Sequence, residues 1–549
     1  MAKFHLKEYP ALRKLVEEMD VETLLGYVVC PHLNPTEIQG IERKSACAFF
    51  FPATHTACLN GAHTVNDGRD MPALIVSDME FGAYPVLSDA TPFPSMQALT
   101  VGGDVKKAYE MGRVTARQAR AAGFHWTFGP CVDITFHHNN PIVSYRCAGD
   151  TAEDNIAFGG AYMEGLQDGG LIATLKHFPG DGCCDTDQHL TVSVNPLAKD
   201  QWRATYGHVY QSLITRGARA VMVGHIALPS YDDFDEQLGY YPPATLSKKL
   251  MKTLLREELG FDGIIISDAT TMGGFAGCMN LYRACARFLE CGGDCLLFMH
   301  ADQTFLSEMQ KCMARGELSL HTLRSRAYRM LCFAKQYFEQ EQTGSDGVEQ
   351  PANDAAAWSL ARRVVHAACV VGRDRTSQLP LQLNADARIL HVVITTPEYP
   401  ADAPAALTQA LRARFVHVDE LIDPGPYRLR DLAAEHVYDQ ILCTVGGQLS
   451  FGTDTCRLTG AVARNMMEGW MRYDTPVVFV NFGHPYFQEE YVASVDTIIN
   501  TYGYTSLTVE AVMARLFGEG QKENEWGKKI CDTFSHLSCS FQIPVTFRR

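Results

Sequence analysis

The chain has 549 residues, too many for one ordinary core, so two domains are expected. Apolar residues make up 46% and charged residues 20%, the balance of a folded globular protein, and no apolar run reaches membrane-spanning length. Against 48 Lys+Arg stand 63 Asp+Glu, a formal net charge of −15 with no basic run, which argues against nucleic-acid binding. The opening Met1-Ala2-Lys3-Phe4-His5-Leu6-Lys7 puts charges where a signal peptide needs apolar residues, so no secretion signal is expected. Eighteen cysteines are scattered singly, and the nearest pairs, Cys183-Cys184 and Cys291-Gly-Gly-Asp-Cys295, lack C-x-x-C spacing. They are expected to be buried thiols in a reducing cytoplasm, with no structural zinc.

From about residue 45 to 340, apolar runs alternate with stretches of helical period. The strand-like runs are 46–51, 73–77, 126–134, 171–175, 220–226, 263–267 and 295–299. Helix-like segments occupy 105–122, 154–167, 247–259 and 281–290, and glycines such as Gly123, Gly169, Gly217, Gly260 and Gly292 sit as caps. Repeated βα units of this length predict a (β/α)8 TIM-like barrel over residues 1–340, although periodicity alone leaves a doubly wound sheet open. The polar run 340–354 predicts a linker, drawn over 341–358. Beyond it, runs at 389–394, 415–418, 440–445, 477–481 and 497–500, with helical stretches at 455–471 and 507–517, predict a three-layer α/β/α sandwich over 359–549. No glycine-rich phosphate loop is present.

Two stretches carry ionisable groups at strand ends. In the first, Leu175-Lys176-His177-Phe178-Pro179-Gly180-Asp181-Gly182 leads through a loop to Asp187-Gln188-His189. A Lys-His pair closing an apolar strand is costly unless it has a task. Two residues apart, Asp187 can orient the His189 imidazole and favour its protonated form, as a general acid requires. In the second, Asp268 follows the apolar run Ile264-Ile265-Ile266-Ser267. A carboxylate held rigidly there suits a nucleophile. The alternative is a helix N-cap.

Together these stretches resemble glycoside hydrolase family 3, most closely its bacterial β-N-acetylglucosaminidase branch. That branch carries Lys-His-Phe-Pro-Gly-His-Gly, four residues, then Asp-Ser-His, and a Ser/Thr-Asp followed four residues later by Met. This chain has Lys176 to Gly182, four residues, then Asp187-Gln188-His189, and Ser267-Asp268 with Met272. Asn140 to Arg146 resembles the segment with the family's substrate arginine, and Asp78-Met79-Glu80-Phe81-Gly82 its Asp-x-Glu-Gly-Gly turn. Met222-Val223-Gly224-His225-Ile226 and the 478–486 segment extend the likeness. Departures are Asp181 for histidine, Gln188 for serine, Phe81 for glycine and Val86 for a second arginine.

The resemblance implies retaining hydrolysis of a β-glycoside through a glycosyl-enzyme intermediate, with Asp268 as nucleophile and the Asp187–His189 dyad as acid/base. Asp78, Arg146, Lys176 and His177 would hold the sugar, and Arg146 and Lys176 would keep Asp268 anionic. No cofactor and no metal is implied, and the partner is a small carbohydrate. N-acetylglucosamine is the expected sugar. A β-glucosidase, a glycoside phosphorylase and an inactive sugar-binding protein are the alternatives. A metal site at His137-His138, or at His55 and His63, lacks the spacing of zinc motifs. The second domain is expected to lend stability or a substrate wall.

Overall fold

The computed structural model describes residues 2–38, 45–84, 86–341, 354–394, 402–447, 451–453 and 455–518. Most of the expected linker lies outside these residues. Its last part does not: the helix Ala355–Ala368 begins within it, and the Asp354 carboxylate caps the first turn by accepting from Ala357 N at 2.9 Å. The chain divides into two units, Met1–Val364 with Leu449–Arg457, and Val365–Gln448 with Leu458–Arg549.

In the first unit the strands are β1 (Val29–Cys30), β2 (His32–Leu33), β3 (Cys47–Phe50), β4 (Leu74–Ser77), β5 (Trp126–Thr127), β6 (Thr174–Phe178), β7 (Ser193–Val194), β8 (Ala220–Val223), β9 (Ile226–Ala227), β10 (Ile264–Ser267) and β11 (Leu296–Leu297). Parallel pairing gives the groups β1–β11, β2–β3–β4–β5, β6–β8–β10 and β7–β9. Single parallel bridges join Trp126 to Ile172 and Ile266 to Cys295. Every residue of β3, β4, β6, β8 and β10 is buried, which explains the apolar runs of all but β6, where Lys176 and His177 are buried as well. Trp126, Phe128, Met222, Ile264 and Ile266 share one core cluster. The expected strand 126–134 is hydrogen-bonded as a strand only at Trp126–Thr127; farther on, Cys131 bridges Lys176.

Near the start of β10, the buried Asp294 carboxylate fixes the strand. It accepts from Ile265 N at 2.9 Å, Arg256 Nη2 at 2.6 Å and Arg329 Nε at 3.1 Å. Those guanidiniums hold its carboxyl below the usual range against the upward push of burial. At the other end, Asp268 N donates to Val223 O and Gly224 N to Phe178 O, so β6, β8 and β10 deliver His177, His225 and Asp268 together.

Among the described residues the second unit is built on one six-stranded sheet. Its strands are β12 (Val370–Asp374), β13 (Arg388–Ile394), β14 (His417–Ile422), β15 (Gln440–Gly447), β16 (Val477–Gly483) and β17 (Thr497–Asn500), in the order β12-β17-β16-β15-β13-β14. All pairs are parallel except β12 with β17. Leu390, Val392 and Ile394 join a core with Leu429 and Leu432 of the helix Pro426–Ala434, while His391 points the other way to Thr408 of the helix Asp402–Arg414. The helix expected at 455–471 is not continuous. Only Gly460–Ala463 is α-helical, followed by short turns at Arg464–Met466 and Trp470–Arg472. Gly460 and Gly469 adopt φ of 58° and 59°, a left-handed backbone that cannot continue a right-handed helix. Among the described residues no helix is long and apolar enough to cross a membrane.

Candidate active site

The strand end at Lys176–His177 is the hub. Lys176 Nζ donates to Asp78 Oδ1 at 2.9 Å and to Glu80 Oε1 at 2.7 Å. Arg146 grips the same Glu80 bidentately, Nε to Oε2 at 2.8 Å and Nη2 to Oε1 at 2.5 Å, and donates from Nη1 to Ile142 O. Burial alone would raise the Glu80 pKa, but Arg146 and Lys176 hold it well below the carboxylate range. Planar two-bond pairing is what guanidinium offers and ammonium cannot. Lys176 and Arg146 therefore meet through Glu80, a residue the motif quotes but to which the sequence assigns no part, and Asp78 joins them through Lys176.

This buried cluster stabilises only while complete. Replacing Glu80 with alanine leaves the buried Arg146 guanidinium without its carboxylate and Lys176 with Asp78 alone, and the expected cost is about 3–5 kcal/mol of unfolding free energy at pH 7. Because the folded pKa of Glu80 lies below its unfolded value, its contribution is present above the ordinary glutamate pKa. It is lost as pH falls through the folded value. Urea titrations of wild type and Glu80→Ala should thus converge toward acid. A gap unchanged at low pH would contradict the ion-cluster account.

His177 is held by Asp133. Asp133 Oδ2 lies 2.6 Å from His177 Nδ1, and Oδ1 accepts from His177 N at 3.1 Å and Asp181 N at 2.8 Å. Burial pushes the Asp133 pKa up, but His177 above all carries it below the ordinary value, so the carboxylate accepts and Nδ1 carries the proton. Nε2 then faces Asp268 Oδ2 at 3.9 Å, a gap a bound hydroxyl could bridge. Cys131, Asp133 and His177 form a three-ligand cluster with atoms within 4.8 Å of one another, one that His137-His138 and His55 with His63 do not join. Its groups already satisfy one another, since Cys131 Sγ donates to Asp133 Oδ2 at 3.2 Å.

Asp268 is 9% exposed, and its Oδ1 accepts from Ala269 N at 2.8 Å. Desolvation would raise its pKa, yet the His177 imidazole first, then His225 and His189, bring it below the ordinary aspartate value. Imidazoles thus do what the sequence assigned to Arg146 and Lys176, which are spent on Glu80 and Asp78. The N-cap alternative fails, because the following helix starts only at Gly273 with Met272 at its cap position.

The dyad forms as expected. Asp187 Oδ1 sits 2.8 Å from His189 Nδ1 and accepts from His189 N at 2.7 Å. Its pKa, raised by burial, is brought down by these bonds to His189. The dyad loop is stitched to the Asp268 loop by Gly273 N to His189 O at 2.7 Å and Gly274 N to Gln188 O at 3.1 Å. Two departures from the family pattern face each other here: Gln188 Nε2 donates to Asp181 Oδ2 at 3.2 Å while Oε1 accepts from His225 N at 2.9 Å. Burial, then repulsion from Asp133, raises the Asp181 pKa to about 6. Gly180 and Gly182, flanking Asp181, have φ of 121° and 102°. A Cβ there would meet the Tyr206 ring at 2.1 Å or Ile134 O at 2.0 Å. One contributor carried no sequence signal at all: Phe451, whose ring stacks on His189 at 4.8 Å.

Residues 54–332 match the family profile described as the glycosyl hydrolase family 3 N terminal domain. The chain is 30% identical over 482 residues to a protein of Cellulomonas fimi named beta-N-acetylglucosaminidase/beta-glucosidase, covering 83% of each. Among solved structures it is similar to a beta-glucoside phosphorylase, BglX, bound to 2FGlc, with TM-score 0.84, 25% identity and 94% and 96% of the two chains covered. A family 3 beta-N-acetylglucosaminidase of Paenibacillus sp. str. FPU-7 shares the fold at TM-score 0.77 and 22% identity, over 91% and 97%.

Proposed function

The chain belongs to glycosyl hydrolase family 3, and on that premise we propose that it is a retaining exo-β-N-acetylglucosaminidase acting on small glycans or cell-wall fragments. Asp268 attacks the anomeric carbon, the C1–O bond breaks, and His189 gives its proton to the departing oxygen. Water then attacks the same carbon, His189 takes a proton from it, and the ester to Asp268 is released. With Nδ1 committed to Asp187, Nε2 is the atom of His189 that moves the proton. Asp78, Arg146, Lys176 and His177 hold the sugar hydroxyls, with Glu80 fixing two of them. The observation that carries the reading is an anionic Asp268 facing His177 while its loop is hydrogen-bonded to the dyad loop.

The finer architecture is part of the proposal. The parallel pairings and the bridges at Trp126 and Ile266 support a closed (β/α)8 barrel over residues 1–340. Helices meeting both faces of β13 support an α/β/α sandwich over 359–549. The scattered thiols support a cytoplasmic setting.

An aryl-glycoside panel tests the function. The N-acetylglucosaminide should be cleaved faster than the glucoside, at a rate independent of phosphate. Phosphorolysis is the second reading, favoured by the similarity to the phosphorylase and by a neutral or cationic acid/base that does not repel phosphate as a carboxylate would. A rate that requires phosphate, with sugar 1-phosphate as product, would establish it instead.

A further inference from the structure

The turn at 451–453 follows β15 in the chain yet clusters with the first unit. Its Gly452 N–H donates to Asp187 Oδ2 at 2.7 Å. The oxygen that does not hold His189 is thereby engaged as well, so the carboxylate is fixed from both sides. Phe451 lies against the other partner of the dyad, its ring 4.8 Å from the His189 ring at an interplanar angle of 25°. The same ring has the Arg146 guanidinium 5.3 Å from its centroid. Farther along, Arg457 Nε donates to Asn139 Oδ1 at 2.8 Å, tying down the segment's far end.

Phe451 remains 57% exposed, unusual for a ring with two cationic or polar partners, so apolar surface is left over for something else to cover. The ring spans from Arg146, on the sugar-holding side, to His189, which must reach the glycosidic oxygen. Whatever is bonded to that oxygen lies beside His189. A sugar CH face fits such a surface. The His189 side chain is 28% exposed, so without a stacked ring it would have room to turn away from its productive orientation.

We propose that Phe451 is a positioning residue for His189 and the wall of the leaving-group subsite, while the Gly452 amide locks the carboxylate that orients the imidazole. This inference rests on His189 being the acid/base group.

The test uses the full chain with Phe451→Ala and Phe451→Tyr on N-acetylglucosaminides with good and poor leaving groups. Phe451→Ala should lose about 10- to 100-fold in kcat/KM on a disaccharide and under about 3-fold on the 2,4-dinitrophenyl glycoside. Phe451→Tyr should stay close to wild type on both. Equal losses on the two substrates, or none on either, would overturn the proposal. If His189→Ala shows no leaving-group dependence, the failure belongs to the acid/base assignment and not to Phe451. An NMR measurement keeps the two apart. The His189 Cε1 proton, assigned with His189→Ala, should carry a ring-current shift that disappears in Phe451→Ala and persists in Phe451→Tyr. A resonance unmoved in Phe451→Ala would overturn the positioning role whatever the substrate.

Discussion

Asp268→Gly should lower turnover on an activated aryl N-acetylglucosaminide by about 10⁴- to 10⁶-fold, the scale of removing a covalent nucleophile. The carboxylate is rigid, since Ala269 N holds one oxygen and the backbone of Asp268 is tied to β8. It is also ionised at neutral pH, because His177 foremost outweighs the desolvation that would protonate it. The acid limb of the rate profile should accordingly lie below about pH 4, where an ordinary aspartate titrates. Because only the nucleophile is lost, substrate binding should change little. A variant that kept near-normal turnover would remove Asp268 from the reaction.

His189→Ala should produce a loss that depends on the leaving group. Glycosides with poor leaving groups need a proton on the departing oxygen and should lose about 10²- to 10⁴-fold. A 2,4-dinitrophenyl group leaves as a stable anion, so the first step should be nearly unaffected and the loss confined to the step in which water is deprotonated. Equal losses on both substrates would reduce His189 to a loop-shaping residue.

Much of this site is legible in the sequence because it lies on short, local spacings. Asp268 follows an apolar strand directly, and β10 is found buried throughout. Asp187 and His189 are two residues apart, a separation at which a carboxylate reaches its neighbour's ring without long-range folding. Lys176 and His177 lie near the end of β6, which continues one residue further to Phe178.

The parts that were not legible depend on pairings across the chain. Glu80 reads as part of a polar turn with no role of its own, and only folding brings Arg146 and Lys176 onto it from two other segments. Asp133 lies inside the expected strand 126–134, where a single carboxylate among apolar residues has no local partner to reveal it. Gln188 and Asp181 read separately as departures from a pattern, whereas their side chains are hydrogen-bonded to each other. Phe451 belongs to a segment far down the chain with no motif around it. Apolar period alone implies a helix over 455–471, and two glycines whose backbone turns left-handed interrupt it.

The central claim is that Asp268 forms a covalent bond to the sugar. Incubating the protein with 5-fluoro-N-acetylglucosaminyl fluoride slows release of the intermediate, and peptide mass mapping then locates the added sugar. The account predicts the label on the peptide containing Asp268 and its absence in Asp268→Gly. A label on another residue, or normal turnover with no protein-bound sugar at any time, would contradict it.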